Sequence, residues 1–214
     1  MFSSKFLFRF RFPCRRIETL RLPNGGLDES YRLPSPDELD GGAVSPFDLR
    51  LAWHPDGLAL SLSVNGKTRR PWCRIVNPEE SDGLQICLDT RDMKDGHRAT
   101  RFCHRLVFLP TGSGPSQSQP QVFWLPIHRA KQHPNPIATE QIRLSGKVFD
   151  GGYQIHTVIP SDVLTGYVPS EHPNLGFHFA VMDQELGNRY FLVSPPFPHD
   201  QDPSLWASLD LVAA

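Results

Sequence analysis

Apolar residues alternate with polar ones over much of this chain, and this spacing predicts strands. The clearest example is residues 47–64, FDLRLAWHPDGLALSLSV, where every second residue from Phe47 to Trp53 is apolar and the same alternation resumes from Leu58 to Val64. Between the two halves, Pro55-Asp56-Gly57 supplies a turn. The segment therefore predicts an antiparallel hairpin with Trp53 on its buried face.

Shorter patterns of the same kind recur to the end of the chain, separated by turn residues. Only PSDVLTGY, residues 160–167, predicts a helix, with Ser161 as the N-cap and Gly166 as the stop. These patterns predict an all-β fold, a jelly-roll or immunoglobulin-like β-sandwich of about ten antiparallel strands with one short helix. The further strands are expected within residues 5–12, 83–89, 101–110, 122–127, 142–149, 152–159, 175–183, 189–193 and 205–212.

The N-terminal strand, KFLFRFRF, would place Phe6, Phe8, Phe10 and Phe12 on one face. Aromatic rings interleaved with arginines are also typical of single-stranded nucleic-acid binding, but a shared face favours a role in the core. The arginines interrupt the apolar stretch and no small-residue cleavage site follows, so there is no clear secretory signal. Without one, the localisation expected by default is cytoplasmic.

Composition supports one soluble domain spanning residues 1–214. The chain has 16 glycines and 21 prolines, 37 of 214 residues against about 12% in an average protein, which favours many short elements. Its formal net charge of −1 gives no general attraction for nucleic acid or an anionic membrane. No apolar run approaches the roughly 20 residues that a membrane span needs. The four cysteines form no CxxC pair and are expected to be buried thiols, although a Cys14–Cys73 bridge stays open.

Residues 81–110 gather enough aspartate, histidine and cysteine to raise the question of a metal site. If residues 101–110 form a strand, Cys103 and His104 project to opposite faces and cannot join His97 at one ion. Asp89, Asp92 and Asp95 fall at every third position, whereas the oxygen ligands of an EF-hand fall at every second. Calcium is thus the one cofactor that the pattern leaves open, the alternative being a solvated turn.

Signatures of catalysis are missing from the sequence. It contains no GxSxG, no HExxH, no phosphate-binding loop and no dinucleotide fingerprint. Paired carboxylates for glycoside cleavage cannot be identified from spacing, because they meet only through the fold. An enzyme is therefore unsupported rather than excluded.

Several segments together resemble the family 9 carbohydrate-binding modules, which are related to the DOMON β-sandwiches. The likeness runs from about residue 45 to 211, whereas residues 1–44, the N-terminal strand and a Pro/Gly-rich connection, have no counterpart. It implies a non-catalytic, usually secreted domain that holds a carbohydrate between aromatic rings, can assist glycoside hydrolysis as a binding module, and sometimes uses calcium to brace its loops. The segments are LRLAWHPDGLALSLSV, SDGLQICLDTRD, CHRLVFLP, GYQIHTVIP, LGFHFAVMD and DPSLWASLDL.

The resemblance also implies particular ligand-binding residues. Trp72 stands where the family has a stacking tryptophan, and Gln85 stands where its strand usually carries a glutamate. Arg101 and Arg105, expected on the following strand, are candidate hydrogen-bond donors. A second stacking tryptophan is replaced by the segment SPPFPHDQ, where Phe197 is the only aromatic residue.

Two other functions remain open at this stage. The DOMON likeness allows a haem-binding electron-transfer domain, with Met93 or Met182 and His104 or His178 as axial ligands. The missing second tryptophan allows a scaffold or partner-binding sandwich whose sugar site has decayed. The sequence specifies neither the sugar nor the oligomeric state.

Overall fold

The computed structural model describes residues 8–21, 25–39, 41–42, 45–114 and 116–213. Over these residues eleven strands form, joined by short turns, one α-helix and five 3-10 turns. The strands are β1 (Arg11–Arg16), β2 (Phe47–His54), β3 (Gly57–Asn65), β4 (Gly83–Asp89), β5 (Cys103–Ser113), β6 (Gln119–Trp124), β7 (Arg143–Phe149), β8 (Gly152–Pro160), β9 (Asn174–Met182), β10 (Arg189–Tyr190) and β11 (Ala207–Val212). The helix is α1 (Pro36–Leu39), and the 3-10 turns are Glu29–Tyr31, Pro78–Glu80, Thr139–Gln141, Ser161–Val163 and Pro203–Leu205.

All the strands belong to one hydrogen-bonded sheet that folds back on itself. Its order is β6-β5-β4-β9-β11-β1-β2-β3-β8-β7, with β10 paired to β9. Although β3 and β4 lie far apart in this order, Leu60 and Ile86 belong to one buried cluster, so the two halves of the sheet face each other across a shared core. The all-β sandwich expected from the sequence is confirmed. The one departure is β1, which runs parallel to both β11 and β2.

The hairpin of residues 47–64 forms as predicted. Phe47 pairs with Val64 and His54 with Gly57, which leaves a two-residue turn of Pro55 and Asp56. The apolar face of β3 is fully buried, and burial of each such leucine contributes about 1.5–3 kcal/mol. Trp53 is only partly buried, and its indole Nε1 donates to the carbonyl of Val212 at 2.8 Å. It therefore packs at the edge of the core and ties β2 to the end of β11.

The N-terminal strand begins later than the sequence predicts. Pairing with β11 starts at Arg11. Phe10 and Phe12 pack against the core as expected, with parallel rings 6.1 Å apart, but Phe8 is 65% exposed. Phe6 lies outside the described residues. The expectation of a common buried face thus fails at Phe8, because the chain gains its strand neighbours only beyond that residue.

The predicted helix is also placed wrongly. At residues 160–167 the chain forms only the 3-10 turn Ser161–Val163, preceded by Pro160 as its cap residue. The α-helix lies instead in the Pro/Gly-rich connection, where Ser35 and Glu38 form a reciprocal capping box. Two such hydrogen bonds satisfy donors that a four-residue helix would otherwise leave unpaired.

The four cysteines are free thiols, so Cys14 and Cys73 form no bridge in this structure. Burial raises the pKa of Cys87 and of Cys103 to about 12, which keeps both thiols protonated. Among the helices of the described residues, none has the length and apolarity to cross a membrane.

A close approach between β7 and the β5–β6 hairpin closes the sandwich, and it requires a glycine. A Cβ added at Gly146 would lie 2.3 Å from the carbonyl oxygen of Pro110 and 2.9 Å from the Cβ of Pro120. We expect Gly146→Ala to lower the free energy of unfolding by about 1–3 kcal/mol, as overpacking usually does. Urea denaturation would measure the change. Gly96→Ala is the matched control, because its added Cβ would meet nothing closer than 4.0 Å; equal stabilities of the two variants would show that the closure tolerates a side chain.

Candidate functional site

The polar residues of segment 81–110 are divided between the two faces of the sheet. In the β4–β5 register Cys103 lies opposite Asp89, and His104 lies opposite Leu88 of the core. Cys103 packs in a small outer cluster with Cys87 and Trp206. His97 is exposed and bonds Asp202 through Nδ1 at 3.0 Å. The prediction that these residues do not converge is confirmed, and across the described part of the chain no three His, Cys, Asp or Glu side chains are grouped to hold a metal.

The three aspartates considered for calcium have separate tasks. The carboxylate of Asp89 accepts hydrogen bonds from the backbone N–H groups of Arg91 (3.0 Å) and Met93 (2.8 Å). Burial raises the pKa of Asp89, and these bonds oppose the rise. Asp92 pairs with Lys94 at 2.7 Å, and Asp95 is exposed. Because the oxygens serve the turn and an ion pair, the three side chains do not form one ligand set.

The candidate haem ligands are likewise dispersed. His104 belongs to the inner face, whereas His178 lies opposite Cys87 on the outer face. Burial lowers the pKa of His104 to about 4 and that of His178 to about 3, so both are neutral at pH 7. Met182 is four residues from His178 along β9, roughly 13 Å away. Met93 is exposed. The positions of these four residues therefore do not support the haem-binding alternative.

Two of the predicted sugar-binding residues do meet, on the outer face of β4 and β5. Arg105 Nη2 donates to Gln85 Oε1 at 3.3 Å and pairs with Glu79 at 2.9 Å and Asp200 at 3.2 Å. Gln85 Nε2 donates to the carbonyl of Glu79 at 2.7 Å. Both side chains are buried, and the amide oxygen and nitrogen of Gln85 each have a partner. The buried Nε of Arg105, in contrast, has no hydrogen-bond partner among the described residues. Sequence reasoning missed Glu79 and Asp200, because both come from loops that only the fold brings to these strands.

Trp72 lies at the rim of a pocket beside this cluster. Trp72 is 36% exposed, and the guanidinium of Arg74 lies 4.7 Å from the ring centroid. The Trp72 backbone N–H donates to Asp82 Oδ2 at 3.0 Å. The pocket has a volume of about 220 Å³, and the rest of its lining is polar or charged: Lys67, Arg69, Arg70, Asp82, Gln184 and Glu185. We call it the Trp72 pocket.

A buried ion-pair network holds the wall of this pocket. Lys67 Nζ lies 2.7 Å from both carboxylate oxygens of Asp183 and 3.1 Å from Asp82 Oδ2. Burial alone would lower the pKa of Lys67, but hydrogen bonds to Asp183 and Asp82 outweigh it and raise the pKa. Glu185 extends the network, accepting hydrogen bonds from the backbone N–H groups of Thr68 (2.7 Å) and Arg69 (3.0 Å).

The 3-10 turn Pro78–Glu80 connects the pocket to the Gln85–Arg105 cluster. The carbonyl of Glu79 accepts the bond from Gln85, and the carbonyl of Glu80 accepts one from Gln184 Nε2 at 2.8 Å. A movement of this turn would thus displace hydrogen-bond partners both in the Trp72 pocket and in the Gln85–Arg105 cluster.

The last two predicted residues lie elsewhere. Arg101 precedes β5 and stacks on Phe102, so its expected place on the strand is wrong. Arg101 lies two residues before Cys103, which pairs with Asp89 at the end of β4, whereas Trp72 is hydrogen-bonded to Asp82 before the start of β4. The two residues are therefore near opposite ends of this strand. Phe197 is half-buried in the loop after β10, which also carries Asp200. That loop therefore reaches the Gln85–Arg105 cluster through Asp200 rather than through an exposed ring.

We expect Lys67→Met to destabilise the fold by about 3–5 kcal/mol, because it leaves the buried carboxylates of Asp82 and Asp183 without their cation. Urea denaturation would measure the loss. The control is the triple variant Lys67→Met/Asp82→Asn/Asp183→Asn, which removes the charges together and should recover part of it. A loss below about 1 kcal/mol in Lys67→Met would contradict the role of the network.

A second prediction concerns acid. Hydrogen bonds from the Thr68 side chain and backbone, with smaller help from Arg69 and Lys67, lower the pKa of Glu185 from 4.5 to about 2. The stabilisation is therefore fully present above pH 4.5 and is lost as the pH falls towards 2. We expect wild type to be more stable than Glu185→Gln at pH 7 and the difference to shrink across that window. Glu140→Gln, at an exposed position, should show no such change; a difference for Glu185→Gln that is constant with pH would refute the assignment.

Comparisons with known proteins identify the fold. No protein-family model and no curated protein matches the chain. It is similar to the structure of a family 9 carbohydrate-binding module from Caldicellulosiruptor kristjanssonii in complex with cellotriose, with a TM-score of 0.60, 13% identity, and coverage of 95% of this chain and 94% of that chain. It is also similar to a structure of a family 9 module from the same organism in complex with glucose. For that structure the TM-score is 0.62 and the identity 14%, with coverage of 95% of this chain and 96% of that chain. The chain thus has the β-sandwich fold of these modules, and a relation to the DOMON domains is not shown.

Proposed function

We propose that this protein is a non-catalytic carbohydrate-binding domain and that the sugar occupies the Trp72 pocket. The observation that carries the proposal is an exposed tryptophan ring at the rim of a pocket whose other lining groups are polar. The shared fold with modules solved in complex with cellotriose and glucose supports it.

The chemistry of the pocket suits a sugar ring. The C–H face of a pyranose is apolar and packs on a flat aromatic ring, while its hydroxyl groups need donors and acceptors at the edge. Gln184 and Arg70 supply such groups beside Trp72. The volume of about 220 Å³ is below the roughly 300–1,000 Å³ typical of drug-sized ligands, which favours one ring or a chain end.

In this proposal the sugar stacks on one side of Trp72 only. Arg74 already lies over the ring at 4.7 Å, a distance at which a cation–π interaction forms. Phe197 is half-buried in the loop after β10, so in this proposal it does not serve as a second stacking ring. We therefore infer a one-sided platform, in place of the two-ring clamp that the family resemblance implies.

Gln85 and Arg105 act in this proposal as positioning residues. Their hydrogen bonds hold the Pro78–Glu80 turn, which in turn holds Gln184 in the pocket wall. They need not contact the sugar to affect its binding.

We expect Trp72→Ala to weaken sugar binding by about tenfold or more, since about 1.4 kcal/mol of stacking energy corresponds to that factor. Isothermal titration with glucose and cellotriose at millimolar concentration would measure it, and Trp72→Phe should retain part of the affinity. The matched controls are Ile75→Ala, an exposed apolar residue of the same loop that does not line the pocket, and Arg101→Ala.

Two outcomes would overturn this proposal. Unchanged affinity in Trp72→Ala would move the sugar away from the pocket. Absence of binding by wild type across a glycan array would favour the second candidate function, a partner-binding sandwich. The observation that supports this candidate is the exposure of Ile75 (52%) and Val76 (78%) close to Trp72 in sequence.

A further inference from the structure

We propose that the Trp72 pocket selects a sugar that carries a negative charge, and that Arg69 and Arg70 bind its carboxylate or sulfate group. This inference rests on the proposed function and adds the class of ligand.

The loop that carries Trp72 is strongly basic. Between Asp56 and Glu79 the sequence has no acidic residue, and KTRRPWCR, residues 67–74, holds four cations. The first, Lys67, is buried and committed to Asp82 and Asp183. The fourth, Arg74, lies on the Trp72 ring. Arg69 and Arg70 remain.

Among the residues that the structure describes, no side-chain hydrogen bond or ion pair holds either of these two arginines. Both are exposed, both line the pocket, and within the described residues neither guanidinium lies in ion-pair distance of a carboxylate. Arg105 of the neighbouring cluster differs in this respect, because Glu79 and Asp200 pair with it. A charged group without a partner at the wall of a pocket is available to a ligand.

The carboxylates of the pocket do not cancel this charge by direct contact. Asp82 accepts hydrogen bonds from Lys67 Nζ, from the Trp72 backbone and from the Gln184 backbone at 2.8 Å. Glu185 accepts from Thr68 and from the Arg69 backbone. Glu80, on the adjoining turn, does not line the pocket. These acceptor oxygens thus form hydrogen bonds within the protein, whereas Arg69 and Arg70 are exposed residues of the pocket lining.

Guanidinium groups match carboxylate and sulfate oxygens in shape as well as charge, since each can donate two parallel N–H bonds. A neutral sugar would gain only hydrogen bonds from the same residues. Exposed ion pairs are individually weak, so two of them should favour the charged ligand by roughly two- to thirtyfold at low salt. The preference should fall as added salt screens the pair.

Three glycosides that differ only at C6 test the inference: methyl β-glucoside, methyl β-glucuronoside and methyl β-glucoside 6-sulfate. Each would be titrated into the full chain at about 50 mM and about 500 mM salt, a range in which the Debye length falls from above to below roughly 10 Å. We expect the glucuronoside, the sulfate, or both to bind more tightly than the glucoside at low salt, with the advantage reduced at high salt. The arm that shows the preference identifies the anionic group.

The variant Arg69→Gln/Arg70→Gln should lose this preference, measured as the ratio of the affinities for the charged and the neutral glycoside. Its affinity for the neutral glucoside should fall by a smaller factor, because the glutamine amides can still donate hydrogen bonds. Arg101→Gln is the matched control, an exposed arginine at the other end of β4, and should keep the preference. Equal affinity of wild type for all three glycosides would overturn the inference and leave the proposed function standing. A preference that survives in the double variant would overturn the assignment to Arg69 and Arg70, whereas no binding of any glycoside would reject the proposed function itself.

Discussion

The contact of Lys67 with Asp82 and Asp183 fixes the relative position of three chain segments that are far apart in sequence. Lys67 follows β3, Asp82 precedes β4, and Asp183 follows β9. Because these side chains are buried, each charge is stabilised by its partner and not by water. Separation of the three segments would leave buried charges unpaired, which is energetically costly. The backbone N–H of Trp72 is bonded to the same Asp82 carboxylate. The position of the exposed ring therefore depends directly on a buried ion pair.

A buried ion-pair network often stabilises a fold no more than well-packed apolar residues of similar volume would. The contribution of this network is to fix the geometry of the loops. The Asp82 carboxylate can accept from Lys67, Trp72 and Gln184 only in one arrangement of the loops, which a group of leucines would not specify. Preorganisation of this kind lowers the entropy that a loop loses when it binds a ligand.

The strands could be predicted because their pattern is local. Each residue of β2 and β3 alternates between faces, so a count along the chain is enough to place Leu60 in the core and to separate Cys103 from His104. Errors arose where tertiary neighbours decide. Phe8 follows the alternation but has no strand beside it, and Ser161 starts a helical pattern that ends after a 3-10 turn.

The site was less predictable than the fold for the same reason. Trp72 and the pair Gln85 and Arg105 were expected at a binding site from a resemblance in short motifs, but Lys67, Gln184 and Asp200 carry no local signal of a role. Loops bring them together, and loop geometry depends on residues distant in sequence. Arg101 shows the converse, because its neighbourhood in sequence to Cys103 suggested a place on a strand that begins two residues later.

The use of each face of Trp72 connects the stacking and the charge at this site. A ring clamped on both sides by aromatic residues could hold a neutral sugar by contact area alone. Here Arg74 lies over the Trp72 ring, and in the proposed function the sugar stacks on the opposite face. With less stacking energy to gain, a sugar bound as proposed must obtain more from polar groups at the pocket edge. Arg69 and Arg70 line the pocket, and in the part of the chain that the structure describes neither guanidinium is paired with a carboxylate. In the proposed function, the basic loop therefore contributes less stacking and more electrostatic attraction than a pair of aromatic rings would, because Arg74 lies over the Trp72 ring while Arg69 and Arg70 line the pocket.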